Sequence, residues 1–83
     1  MPVVLRDNGF QVRIFLPTRE HGPVHVHITR EGGEVVIVLN APEQGVSVRD
    51  VRGMRPADVR QAVAIVETNA DYLRQQWRKY HGE

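Results

Sequence analysis

Two hydrophobic periods divide this chain, and the change falls near residue 56. Before it, apolar residues recur every second position, the spacing of a half-buried β-strand. Val3-Val4-Leu5-Arg6 and Phe10 to Leu16 flank Asp7-Asn8-Gly9, and Asn-Gly tolerates the positive φ angles of a tight hairpin. Phe10, Val12, Ile14 and Leu16 point one way, Gln11 and Arg13 the other; Phe15 interrupts the polar side, so that face is not wholly wet. Pro17 ends the strand, and residues 17–23 form a loop closing on Gly22-Pro23. A third strand is predicted at 24–29, followed by a hairpin turn at Arg30-Glu31-Gly32-Gly33. The fourth, 34–40, is apolar on both sides from Val35 to Leu39, which predicts a strand covered on both faces. Val46-Ser47-Val48 has the composition of a short edge strand, making the count four or five.

From Pro56 onward Val59, Val63, Val66, Ala70, Leu73, Trp77 and Tyr80 recur at alternating steps of four and three, one apolar stripe along a helix. The spacing predicts a single long helix over 56–81, with proline at its first position and Asp58 reaching back to the open amides. At about 1.5 Å per residue it would cross the whole sheet. Leu73, Trp77 and Tyr80 read as core. Asn69 lies at the stripe's margin, its amide bonding a strand edge or facing water. The expected architecture is α+β: a single domain, an antiparallel β-meander of four to five strands with one long C-terminal helix packed across it.

Composition narrows the function classes. Eighty-three residues leave room for one core. The absence of cysteine removes disulfides, thiolate zinc sites and cysteine nucleophiles together. No basic segment leads into an apolar run at the start, and the longest apolar run, Val35 to Leu39, is far too short to span a bilayer. A cytoplasmic location without membrane association is therefore expected. The net charge of +1 means that nucleic-acid binding would need local clustering of basic groups.

The stretch Glu20-His21-Gly22-Pro23-Val24-His25-Val26-His27-Ile28 concentrates the candidate chemistry, holding three of the four histidines. Strand alternation sends His25 and His27 out of one face, side by side, where they suit a shared divalent metal, zinc first, or paired acid–base work. A metal needs a third ligand, and His81 would supply it if the helix crosses the histidine face; Glu20 and His21 lie just upstream. Glu34 or Asp71 are candidate acceptors for the imidazoles' other nitrogens. In an RNA-cleaving reading, Arg13 or Arg30 would steady the developing charge. The plainer alternative is that His25 and His27 belong to the polar face of a half-exposed sheet. A second cluster, Arg49, Arg52, Arg55 and Arg60, brackets the helix start, a place for phosphate, carboxylate or nucleic acid, or else a salt-bridged surface. Gly32-Gly33 lacks the pattern of a phosphate loop, and Ser47, the only serine, has no nucleophile motif around it.

The opening Met1-Pro2-Val3-Val4-Leu5-Arg6, the stretch from Glu20 to His27, and the helix pattern Val66, Asn69, Leu73, Trp77, His81 resemble domain-of-unknown-function family 4160, short uncharacterised bacterial proteins. Family members often carry two prolines before the first strand histidine; here Val24 takes the second place. The resemblance implies a gene context, that of two-gene modules of toxin–antitoxin type, and no established activity. The leading expectation is an interaction protein whose partners are a cognate small protein, or a second copy of itself, and nucleic acid. The alternatives are a nuclease or metal-dependent hydrolase centred on His25 and His27, and a non-catalytic metal-binding module.

Overall fold

The computed structural model describes residues 2–15 and 23–82. Expectations placed on Leu16, Pro17, Glu20, His21 and the loop up to Gly22 lie outside the described residues. Five strands form one antiparallel sheet in chain order: β1 (Val3–Asp7), β2 (Phe10–Arg13), β3 (His25–Arg30), β4 (Gly33–Leu39) and β5 (Val46–Arg52). Two hairpins are closed by two-residue turns in which both residues have positive φ, Asn8-Gly9 and Glu31-Gly32. That geometry matches the right-handed strand twist and fixes the pairs Asp7 with Phe10 and Arg30 with Gly33. A 3-10 turn, Pro42–Gln44, leads into β5.

Register sorts the side chains into two faces. Val12, Ile28 and Val35 stand in one row, and Val26 pairs with Ile37 in the next. Together with Phe10, Ile14 and Leu39 they form a core with Ala62, Ile65, Val66, Leu73 and Trp77. The opposite face carries Gln11, Arg13, His25, His27, Thr29, Glu34 and Val36.

β5 runs seven residues, longer than the three its composition predicts. A β-bulge opposite Val36 and Ile37 explains the shortfall: Val48 pairs with Ile37 and Val51 with Val35, so two valines three residues apart share a face. A bulge breaks the period of two, and the strand no longer reads as one.

The single long helix is corrected to two, α1 (Pro56–Thr68) and α2 (Ala70–His81). Asn69 causes the break. Its side-chain amide donates to the Ile65 carbonyl at 2.8 Å, the same oxygen that receives its backbone N–H at 3.1 Å, and its backbone leaves the helical region at φ −110°, ψ 20°. An amide that bonds back to the preceding turn competes with the helix ladder. The apolar stripe nevertheless continues in step, because Leu73 and Trp77 still turn inward, so the spacing alone hides the break. Asp58 also differs from expectation, its carboxylate meeting Arg30 at 3.6 Å and Arg55 at 3.4 Å.

The two helices contact different parts of the sheet. α1 packs against β4 and β5. α2 instead lies across one end of the sheet, where three of its side chains donate to main-chain carbonyls: Tyr72 to Val4 at 2.8 Å, Arg74 to Asn40 at 2.6 Å and His81 to Phe15 at 2.9 Å. A left-handed Gly82 closes α2, and Arg78, Lys79 and His81 in its last turn suit the helix dipole. Among the described residues no helix is long and apolar enough to cross a membrane.

Candidate functional site

His25 and His27 leave β3 on the same face, as alternation requires, but that face is not wet here. His25 is 1% exposed and His27 7%. The expectation of a half-solvated polar face is overturned by what covers them. Phe15, just past the end of β2, stacks on His27 with ring centroids 4.0 Å apart; His27 meets His25 edge-on at 5.3 Å. His25 in turn lies 5.1 Å from Trp77, and Trp77 stacks on His81 at 3.7 Å, nearly parallel. The His81 hydrogen bond to the Phe15 carbonyl then joins the last ring to the first. Five rings therefore form a closed circuit tying β2, β3 and α2 together. Aromatic contacts of this kind contribute about 0.5–1.5 kcal/mol each beyond the area they bury.

The hydrogen bonds fix which nitrogen carries the proton. A carbonyl can only accept, so His25 donates from Nδ1 to the Pro23 carbonyl at 2.8 Å. Likewise His27 Nδ1 lies 3.0 Å from a carboxylate oxygen of Glu34, one of the two candidate acceptors, Glu34 or Asp71. Arg52 holds the other Glu34 oxygen at 3.1 Å and reaches Asp50 at 3.4 Å. The result is a chain of polar contacts from the buried imidazole to the solvent, Asp50–Arg52–Glu34–His27. The Nδ1 contact with Glu34 fixes the orientation of the His27 ring, as a carboxylate does for a histidine that acts as a base.

The other candidates fall in different places. His81 does not converge with the strand pair, because the Trp77 ring stands between His81 and His25. Among the described residues no three histidines, aspartates or glutamates are grouped to hold a metal ion. Asp71, the other suggested acceptor, is exposed and faces Arg74 at 3.7 Å. Arg13 stands opposite His27 in the register, its guanidinium bonded to Thr29 at 2.9 Å and to Gln11. Arg30 points to the helix-covered side, over the Phe10 ring and against Gln61. No cavity opens onto the imidazoles among the described residues.

The arginine cluster divides. Arg52 belongs to the Glu34 network; Arg55 pairs with Asp58; Arg49 sits in the β5 bulge and Arg60 on the exposed side of α1. Sequence reasoning missed two members of the ring circuit as site residues. Phe15 gave a signal, an apolar residue on the otherwise polar side of its strand; Trp77 reads as ordinary core because its spacing is that of the stripe.

The family model described as Domain of unknown function (DUF4160) matches residues 9–78, a span that includes both strand histidines, Glu34 and Trp77. The chain belongs to this family. No curated protein and no solved structure matches it. Within the family match, His81 is the one ring of the circuit that falls beyond the matched span.

Proposed function

We propose that this protein is an interaction module, one half of a two-protein pair of toxin–antitoxin type, working by binding a cognate small protein. One observation carries the reading: β5 is an edge strand exposed along six of its seven residues, and two of those are valines, Val48 at 43% and Val51 at 42%. Apolar side chains on an open sheet edge, bordered by arginines, have the make-up of a protein-binding surface. The histidines support the same reading from the other direction, since they are packed among rings that fasten α2 to the sheet. Family resemblance supplies the module context. The test is co-expression with the product of the adjacent small gene, followed by size-exclusion chromatography with light scattering. A complex of defined mass is expected; independent elution of the two proteins at tens of micromolar would refute the pairing.

The Glu34–His27 contact favours a second reading, an acid–base enzyme of nuclease or hydrolase type. Glu34 would orient the ring and Arg13 or Arg52 would meet an anionic substrate. His27→Gln tests it. Loss of growth arrest or of RNA cleavage, in a variant whose circular dichroism and melting are unchanged, is expected on this reading; full retention removes it.

A further inference from the structure

We infer that the outer edge of β5 takes up an extended, acidic segment of a partner protein as a sixth strand. The inference rests on the interaction reading and adds where the partner binds and what its chemistry is. The two sheet edges are not equivalent. On β1 the Val4 carbonyl is already occupied by the Tyr72 hydroxyl, and Val3, Val4 and Leu5 are half-buried. Among the described residues β5 pairs with β4 alone, so its far side presents main-chain donors and acceptors to an incoming strand.

Side chains then specify the incoming sequence. Val48 and Val51 lie on the helix-covered face, in line with Ile37 and Val35, so an added strand would continue that apolar layer with its own inward residues. Charge sets the other positions. The stretch 46–60 contains four arginines and two aspartates. Arg52 is 71% and Arg55 76% exposed, while Asp58 is 14% exposed beneath Arg30 and Arg55. Outward arginine thus exceeds outward carboxylate along this edge, and a segment alternating apolar and acidic residues complements both features. Nucleic acid fits less well, because a phosphate chain has no use for the valines or the open backbone, and Asp50 stands among the arginines. The Arg49 bulge adds selectivity, since a flat, indifferent strand does not follow the twisted edge.

The probe is a fluorescein-labelled eight-residue peptide of alternating glutamate and valine, titrated into the intact protein by anisotropy. Controls are the same peptide with lysine for glutamate, and a single-stranded oligouridine. The glutamate peptide should bind at least tenfold tighter than the lysine peptide, with amide shifts along 46–52 and none along 3–7. The double variant Val48→Glu, Arg49→Glu should weaken it tenfold or more; Arg49 is preferred to Arg52, which also supports Glu34. Because the double variant adds two carboxylates, its folding is checked by circular dichroism. Val51→Thr, a milder change, gives a second reading and should weaken binding severalfold. Equal binding of both peptides, shifts confined to other strands, or occupancy of the arginines by oligouridine alone would overturn the inference. The cognate small protein separates the two proposals. If it binds the double variant as tightly as the parent, the strand inference is wrong and the interaction reading stands. If it binds neither while the glutamate peptide still seats on β5, the pairing falls and the edge assignment stands.

Discussion

The two outer strands of the sheet meet the same hazard with different means. β1 and β5 both contain a register irregularity, and both place charged residues toward their C-terminal ends. Such features discourage indiscriminate edge-to-edge pairing. β1 has a further safeguard, because α2 crosses that end of the sheet and Tyr72 bonds to it. β5 has α1 on one face and nothing described along its edge. The two helices that meet at Asn69 divide the work: α1 stays against β4 and β5, and α2 carries Tyr72 to the Val4 carbonyl of β1.

Removing the seal should have the largest effect. Trp77→Ala empties the middle of the ring circuit and should cost about 3–5 kcal/mol, a large share of the roughly 5–10 kcal/mol expected for a domain of this size. Urea denaturation followed by far-UV circular dichroism measures it, and a loss below about 1 kcal/mol would mean that the circuit does not hold α2 in place. A smaller change should separate the edges. Tyr72→Phe leaves the packing and deletes the bond to Val4; at a residue 41% exposed, a loss of about 0.5–1 kcal/mol is expected. Amide exchange should quicken within Val3–Asp7 and stay unchanged within Val46–Arg52. Smallest of all should be Val48→Thr combined with Val51→Thr, within about 0.5 kcal/mol of the parent, as for exposed positions elsewhere. A destabilisation above about 1.5 kcal/mol in that pair would place the valines in the core and remove the contrast between the edges.

Much of this architecture is legible in the sequence. Asn8-Gly9 and Glu31-Gly32 marked two hairpins, the doubly apolar run from Val35 to Leu39 marked a strand buried on both faces, and alternation put His25 and His27 on a common side. Three things were not legible, each for a physical reason. The bulge in β5 destroyed the period by which strands are found. The break at Asn69 preserved the apolar stripe across it. The rings packed on the histidines, Trp77 and Phe15, lie 52 and 12 positions along the chain from His25 and His27 respectively, and local pattern carries no information about such distant partners. Glu34, seven residues from His27, was within reach of sequence reasoning because the intervening turn is tight.

The bond from His81 to Phe15 spans 66 positions of the chain. During synthesis the hairpins can pair and Phe15 can meet His27 as they emerge, yet His25 and the Phe15 carbonyl must wait for α2 to bring Trp77 and His81. The nascent sheet therefore passes through a stage with one end uncapped, a stage at which a holding chaperone or an early-arriving partner would find its first grip.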